Sequence, residues 1–187
     1  YLSQCLDSLV NQTLANIEIV VVNDASTDNS LGIINDYKAR YPNLRAVNCD
    51  NNKGLASVRN IGMRVARGRY IGFIDGDDWA DIRMCEMMYQ RANDDNSDVL
   101  IADATVFYDD SKTFGRFFDQ HVRQTLDTQL KTTPFSLDSE SRILLLEPVA
   151  WTKLYKRSFL QKHGLNFDAG MNSYEDMCFH FSVLLKA

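Results

Sequence analysis

The 187-residue chain is 45% hydrophobic and 24% charged, which is ordinary for one folded domain with a substantial core. Its formal net charge of −5 argues against a broad surface for nucleic acid, so an anionic ligand would need local cations or a metal ion. We recognise no signal peptide and no apolar run near the ~20 residues that span a membrane.

Helix and strand patterns alternate over the first hundred residues. Apolar residues at helical spacing predict an amphipathic helix over residues 1–14, and the β-branched run IEIVVV at 17–22 predicts a strand buried on both faces. The elements predicted next are a helix over 28–40, a strand over 44–49, a helix from Leu55 to a stop at Gly68, a strand over 70–74, a helix over 84–92 and a strand over 98–108. This alternation predicts an α/β fold with a mostly parallel sheet flanked by helices.

The second half of the chain has a weaker pattern. Residues 109–147 show little periodicity, and nothing in them indicates a function. A helix is predicted over 157–163, closed by Gly164, and another begins near Tyr174. Because no repeat and no long linker divides the chain, we expect a single domain over residues 1–187.

Three polar clusters follow the predicted strands. Asn23 and Asp24 come directly after the first strand, Lys53 and Arg59 lie between the second strand and the first turns of the next helix, and the acidic stretch 75–78 comes directly after the third strand. The carboxyl ends of parallel strands meet at one edge of a sheet, where such folds bind their ligands. We therefore expect the three clusters to converge on one crevice.

The acidic stretch DGDD admits two interpretations. Asp75, Asp77 and Asp78 could form a solvated turn, with Asp78 capping a helix that starts at Trp79. The spacing excludes an EF-hand, because the fifth loop position counted from Asp75 would be Trp79 and the sixth is not glycine. The second interpretation is a Mg²⁺ or Mn²⁺ site completed by substrate phosphates, in which the ion relieves repulsion among the acids.

The other polar residues also keep two interpretations each. Asp24 either belongs to a turn or accepts hydrogen bonds from a nucleobase or ribose. Arg59 is either a solvated helix charge or, together with Lys53 and the helix dipole, faces a diphosphate. Glu175 and Asp176 either complement the dipole at the start of a helix or supply a general base.

Several familiar sites are absent from the sequence. It lacks the patterns GxxxxGK(S/T), GxGxxG, GxSxG and HExxH. The three histidines have no ligand spacing, which argues against zinc. The four cysteines are scattered without a CxxC pair, so we expect reduced thiols in a reducing compartment.

Four segments, in order, resemble the family 2 glycosyltransferases, inverting enzymes with a nucleotide-sugar-binding GT-A fold. The family's first helix, second strand and DDGSTD turn are matched by LDSLVNQTLANIEIVVVNDASTDNS. Its next helix, strand and DxD-type metal motif are matched by NKGLASVRNIGMRVARGRYIGFIDGDDW. Its later acceptor-side segment and ED motif are matched by AWTKLYKRSFL and YEDMCF. The resemblance covers most of the chain.

The resemblance implies roles for individual residues. The nucleotide-sugar contacts of the family fall on Asp24, Asn23, Lys53, Arg59 and Asp75. Asp24 matches the acid at the base, and Asn23 replaces an aspartate that many relatives carry. Asp77, with Asp75, matches the Mn²⁺ or Mg²⁺ ligands, and Asp78 either supports that site or caps a helix. Asp176 matches the catalytic base, with Glu175 beside it.

The implied activity is inverting transfer of a sugar from a UDP- or GDP-sugar to a hydroxyl of a saccharide or lipid-linked saccharide. The process would be bacterial-type cell-envelope or polysaccharide biosynthesis. Residues 1–108 would then form the nucleotide-binding half and residues 109–187 the acceptor-side half. The alternatives are a non-catalytic nucleotide-sugar-binding module and a nucleotidyltransferase of related fold, which usually carries a Gly-rich basic loop after its first strand.

The sequence departs from the family at its start. The family begins with an apolar strand that lies centrally in the sheet, whereas residue 1 here already belongs to a predicted helix. The chain starts without methionine and ends inside the apolar pattern FSVLLKA, so we expect a truncated domain lacking its first strand. We expect a cytoplasmic protein, or one at the inner face of the membrane through segments outside this chain.

Overall fold

The computed structural model describes residues 1–116, 134–171 and 173–187. The helices are α1 (Leu2–Val10), α2 (Ser30–Arg40), α3 (Leu55–Val65), α4 (Met84–Asp94), α5 (Arg157–His163) and α6 (Glu175–Leu184). The strands are β1 (Ile19–Asn23), β2 (Leu44–Asn48), β3 (Tyr70–Gly72), β4 (Val99–Ile101), β5 (Thr105–Tyr108), β6 (Thr113–Arg116) and β7 (Lys153–Lys156). Two 3₁₀ helices cover Ser141–Leu145 and Ala150–Thr152.

The strands pair in three groups. β1 and β2 are parallel, with Ile19 opposite Leu44. β7 lies between β3 and β4 and is antiparallel to both, so β3 and β4 run in the same direction. β5 and β6 form an antiparallel pair. The α/β architecture is the predicted one, and β7 is an addition that sequence patterns do not reveal, because one of the two buried positions in its four residues KLYK is a lysine, Lys153.

The predicted strand over 98–108 is two strands in the structure. The backbone N–H of Ala102 donates to the carbonyl of Thr152 at 2.8 Å, which is the last contact along the β7 edge. The chain then leaves that edge, and β5 pairs with β6 instead. Apart from Asp103, every residue from 99 to 108 is apolar, aromatic or β-branched, so the sequence contains no strong signal for the break.

Helix α1 is shorter than the predicted 1–14 because Asn11 ends it. The Asn11 side-chain amide and its backbone N–H both donate to the carbonyl of Asp7, at 2.8 and 3.3 Å. The helical pattern stops at the next two residues, because the Gln12 N–H donates to the Leu9 carbonyl at 3.4 Å and the Thr13 N–H donates to the Ile82 carbonyl at 3.0 Å. The apolar stripe before this point is buried at Cys5, Leu6 and Leu9.

A gap separates β1 from β3. In the part of the chain that the structure describes, these two strands belong to different sheets and share no hydrogen-bonded ladder. A cavity of about 430 Å³ lies against both, lined by side chains such as Val20, Val22, Tyr70 and Ile71. The first element of the described residues is α1, which begins at Leu2.

The main core lies behind the β3–β7–β4 sheet and joins it to three helices. Its buried members include Ala56 of α3, Ile71 of β3, Tyr155 of β7, Phe159 of α5 and Phe179 of α6. Removing such side chains from water supplies most of the stabilisation of the fold, about 1.5–3 kcal/mol for each large apolar side chain. This core fixes α3 and α6 relative to the ends of the strands.

Among the residues that the structure describes, the cysteines and histidines form no metal-binding group. All four cysteines are free thiols. His180 is 1% exposed, and neither ring nitrogen has a hydrogen-bond partner within the described residues. Burial lowers the pKa of His180 to about 4, with a further contribution from the charge of Lys153. His180 is therefore a neutral packing residue near pH 7.

None of the described helices has both the length and the apolar character required to cross a membrane.

The turn after β1 contains a strained residue. Ala25 has φ of 56°, a left-handed conformation that costs an L-residue about 1–2 kcal/mol and glycine very little. We expect Ala25→Gly to raise the free energy of unfolding by about 0.5–1 kcal/mol, after allowing for the greater chain entropy of glycine. Urea unfolding followed by circular dichroism measures this change.

The matched control is Ala39→Gly on the exposed side of α2, where glycine should cost about 0.5–1 kcal/mol. Equal destabilisation by the two substitutions would show that the Ala25 conformation stores no strain.

Candidate active site

Asp24 links the end of β1 to the start of α3. Its Oδ1 accepts the backbone N–H of Lys53 at 2.7 Å, and its Oδ2 accepts that of Gly54 at 3.0 Å. Gly54 is the N-cap of α3 and has φ of 80°, a conformation that favours glycine. A carboxylate has about four acceptor positions, so Asp24 retains capacity for a ligand after these two bonds.

Asn23 faces the protein. It is 6% exposed, its Oδ1 accepts the backbone N–H of Ser26 at 3.2 Å, and its Nδ2 donates to Asn48 Oδ1 at 3.4 Å. These bonds connect the turn after β1 to the end of β2. Lys53, unlike Asn23, is exposed, and its ammonium donates to Asn51 Oδ1 at 2.9 Å.

Arg59 is a buried cation between two carboxylates. Its side chain is 6% exposed, its Nη2 lies 3.2 Å from Asp75 Oδ1, and its Nη1 forms an ion pair with Asp176 Oδ1. The guanidinium also lies over the ring of Phe167, 5.4 Å from the centroid. The interpretation of Arg59 as a solvated helix charge is therefore wrong, because its face of α3 packs against the strand ends and α6.

The acidic stretch after β3 forms a turn in which the Asp78 N–H donates to the Asp75 carbonyl at 3.1 Å. The prediction that Asp78 caps a helix is wrong, because α4 begins only at Met84. Asp81 instead accepts the backbone N–H of Arg83, which precedes that helix. Burial raises the pKa of Asp78, and the negative charges of Asp75 and Asp77 raise it further. The three carboxylates are therefore close enough to repel one another.

The acidic turn suits a hard cation only in part. Within the described ranges, no group of three or more His, Cys, Asp or Glu side chains is arranged to hold a metal ion. Asp77 is exposed, and Asp75 has one oxygen paired with Arg59 and one free of that pair. Mg²⁺ and Mn²⁺ commonly use one or two carboxylates and take their other ligands from water and phosphate oxygens. The residues present fit such an ion if a diphosphate completes the shell.

Asp176 enters the same crevice from α6. Its Oδ2 accepts the backbone N–H of Ala150 at 3.3 Å, and its Oδ1 pairs with Arg59. Burial raises the pKa of the Asp176 carboxyl, and the positive charge of Arg59 opposes that rise. Glu175 is half-buried beside it at the first position of α6.

The structure brings the predicted clusters together and adds contacts that the sequence does not indicate. Direct contacts join Asp24 to the backbone of Lys53, and Arg59 to Asp75, so the middle cluster contacts each of the other two. The pairing of Arg59 with Asp176 joins residues 117 positions apart, and no spacing in the sequence identifies it. The support of Asp176 by the Ala150 backbone is likewise invisible in the sequence, since any residue except proline supplies that N–H.

Comparison with known proteins identifies the family of this chain. A model described as "Glycosyl transferase family 2" matches residues 1–164. The chain is 38% identical to EpsH of Bacillus subtilis over 97% of this chain and 51% of that protein. It is 32% identical to the poly(ribitol-phosphate) beta-glucosyltransferase of Bacillus spizizenii, over 100% of this chain and 28% of that protein.

Solved structures show the same fold. TarS of S. aureus in complex with UDP has a TM-score of 0.80 and 26% identity, over 100% of this chain and 52% of that chain. The mannosyltransferase PcManGT of Pyrobaculum calidifontis, solved with GDP-Man and Mn²⁺, has a TM-score of 0.66 and 19% identity, over 94% of this chain and 46% of that one. The chain thus spans about half the length of most of these proteins. It has the GT-A fold and belongs to glycosyl transferase family 2.

Proposed function

We propose that this chain is the catalytic GT-A part of an inverting glycosyltransferase that moves a sugar from a nucleoside-diphosphate donor to an acceptor hydroxyl. The observation that carries the proposal is the joining of Asp75, Arg59 and Asp176 in one crevice at the strand ends. Similarity to TarS, solved with UDP, and to a poly(ribitol-phosphate) beta-glucosyltransferase supports a role in bacterial polysaccharide or cell-envelope synthesis. The free cysteines support a reducing compartment, hence the cytoplasm or the inner membrane face.

On the donor side, Asp24 is suited to accept hydrogen bonds from the nucleobase or ribose through its remaining acceptor positions. The exposed Lys53 ammonium can approach the diphosphate. The positive end of the helix dipole at the N-terminus of α3 also favours the negative charge of the diphosphate. Asn23 contributes indirectly by fixing the turn that carries Asp24, since both polar ends of its side chain already have protein partners.

Asp77, together with Asp75, would hold Mn²⁺ or Mg²⁺ once the diphosphate is present. Such an ion stabilises the negative charge that develops on the leaving nucleoside diphosphate. Oxygen ligands from two carboxylates are the donors these ions prefer, and the exposed position of Asp77 leaves it accessible to a ligand.

On the acceptor side, Asp176 acts as general base. The acceptor oxygen forms its bond to the anomeric carbon while the bond from that carbon to the diphosphate oxygen breaks, with the electron pair leaving on the diphosphate. The acceptor proton passes to the Asp176 carboxylate, and attack on the face opposite the leaving group inverts the configuration. The acceptor is a saccharide or a lipid-linked saccharide. Part of the region expected to bind it, residues 117–133, lies outside the described residues.

The test is to incubate the full-length protein with a panel of UDP- and GDP-sugars, with Mn²⁺ or with EDTA. We expect release of the nucleoside diphosphate from at least one donor, and loss of that release in EDTA. Absence of binding, hydrolysis and transfer with every donor would reject the proposal. Donor binding without any turnover would favour a non-catalytic binding module.

The rate should depend on the ionisation of Asp176. A base must be ionised to accept a proton, and burial raises the pKa of Asp176 above its ordinary value of 3.8. We expect kcat/KM to fall on the acidic side with an apparent pKa above that value. The measurement is a profile of kcat/KM from about pH 4 to about pH 9, with UDP affinity at each pH as the control.

The free energy of unfolding should depend on pH in the direction opposite to the activity. Because folding raises the pKa of Asp176, this residue contributes stability at low pH that is lost as pH rises through the folded-state pKa.

If kcat/KM instead falls on the acidic side with the pKa of an ordinary exposed aspartate, Asp176 is excluded as the group that controls the rate.

A further inference from the structure

Arg59 connects the two sides of the proposed site. Its guanidinium contacts Asp75, which is 16 residues away in the chain, and Asp176, which is 117 residues away. We propose that Arg59 is a positioning residue that fixes the Asp176 carboxylate in the crevice and ties it to the donor-side acid Asp75. This inference rests on the proposed function of Asp176 as the base.

The guanidinium itself has little freedom to move. Asn60, the next residue of α3, donates to the carbonyl of Phe167 at 2.8 Å and accepts the Phe167 N–H at 2.9 Å. Arg59 lies over the Phe167 ring, and that ring stacks on Phe179 with centroids 4.0 Å apart. Phe179 belongs to α6, three residues after Asp176. The helix that carries Arg59 and the helix that carries Asp176 are therefore joined where the ion pair forms.

Both oxygens of the Asp176 carboxylate are held. Oδ1 pairs with the Arg59 guanidinium, and Oδ2 accepts the Ala150 N–H at 3.3 Å. A carboxylate held at both oxygens has one orientation, whereas the backbone bond alone would leave rotation about the side-chain bonds. The ionic contact is also the stronger of the two, because charge-assisted hydrogen bonds are roughly twice as strong as neutral ones. Arg59 thus determines where the carboxylate lies.

The electrostatic surroundings require a cation at this point. Asp176 is influenced by the negative charges of Glu175 on its own helix and of Asp75 from the loop after β3. The Tyr155 hydroxyl of β7 is also buried near it. Within the described residues, Arg59 is the cation whose charge acts on Asp176. Loss of its charge would leave a carboxylate in a buried position beside other acids.

Two other roles for Arg59 predict different measurements. A residue that only binds the donor would change the affinity for UDP and leave turnover at saturating donor unchanged. A residue that only stabilises the fold would change the melting temperature and leave the geometry of Asp176 intact. A positioning residue changes the location of the Asp176 carboxylate and lowers kcat, while UDP binds with similar affinity.

The experiment compares full-length wild-type protein with Arg59→Met and Arg59→Lys. The first arm is a crystal structure of each, which requires no activity: in Arg59→Met we expect the Asp176 carboxylate to rotate away from its wild-type orientation, and an unchanged orientation would overturn the proposal. The second arm measures UDP affinity by calorimetry and kcat for UDP release from UDP-GlcNAc or whichever panel donor is active. We expect kcat to fall at least tenfold with UDP affinity changed less than threefold. The reverse pattern would overturn the proposal.

The lysine variant guards against misfolding, since it keeps the positive charge but lacks the planar fork that spans two carboxylates. We expect its kcat to lie between those of wild type and Arg59→Met. An Arg59→Lys variant with wild-type kcat and weakened UDP binding would assign Arg59 to the donor. Arg64→Met, an exposed arginine of the same helix, is the matched control and should resemble wild type. If wild-type protein neither binds UDP nor turns over any donor, the proposed function fails, while the crystallographic arm still decides the positioning role.

Discussion

Asp176→Asn is expected to lower sugar transfer by about 10³-fold while leaving UDP affinity within a fewfold of wild type. The amide keeps the shape of the side chain but does not accept the acceptor proton, so the loss falls on the chemical step. Asp176 reaches the crevice from α6 and contacts Arg59 rather than Asp24 or Lys53 of the donor side. Steady-state kinetics with saturating donor and calorimetry with UDP measure the two effects separately.

Glu175→Gln is the matched control, because Glu175 is the neighbouring carboxylate at the start of α6. We expect it to reduce transfer much less than Asp176→Asn does. Unchanged transfer in Asp176→Asn, combined with loss in Glu175→Gln, would assign the base to Glu175. Loss of UDP binding in Asp176→Asn would instead indicate a general disturbance of the site through Arg59.

Asp77→Asn is expected to lower kcat/KM by about 100-fold, or roughly 2.7 kcal/mol, and to abolish the stimulation of turnover by Mn²⁺. The exposed Asp77 has no ion pair with a basic residue in the described part of the chain, so its substitution should disturb the fold little. Turnover measured against Mn²⁺ concentration tests the expectation, with melting temperature as a check on folding.

Asp36→Asn, an exposed acid on α2, serves as control for the change in net charge and should leave the Mn²⁺ dependence unchanged. If Asp77→Asn responds to Mn²⁺ like wild type, Asp77 is not a ligand. The acidic turn would then be a solvated loop, the other interpretation that its sequence allows.

The fold follows from local patterns to a large extent. The β-branched run before Asp24 is buried in a cluster with α1 and α2, and the helical stripe of α3 is buried in the main core, because periodicity determines which face of an element is apolar. The strand–helix alternation then determines which loops share an edge of the sheet. For this reason the sequence alone predicts that Asp24, Lys53 and Asp75 meet.

Other features depend on residues distant in the chain. The predicted strand breaks at Ala102, where the backbone N–H bonds to Thr152, fifty positions later in the chain. The strand β7, which follows Thr152, pairs with β4. Asp78 is adjacent to a helix pattern in the sequence, but the loop continues to Met84. In both cases the local preference is weak, and long-range hydrogen bonds decide the outcome.

By itself, the sequence determines the chemical groups available at the site and the sheet edge at which most of them emerge, since both follow from residue type and short-range periodicity. Only the tertiary structure decides that Arg59 is buried, with Asp75 and Asp176 as its partners, and that Asn23 faces the protein. The physical reason is that charge pairing and burial depend on packing between α3 and α6. Residues 59 and 176 lie in separate segments of the chain, and no local pattern records their distance in space.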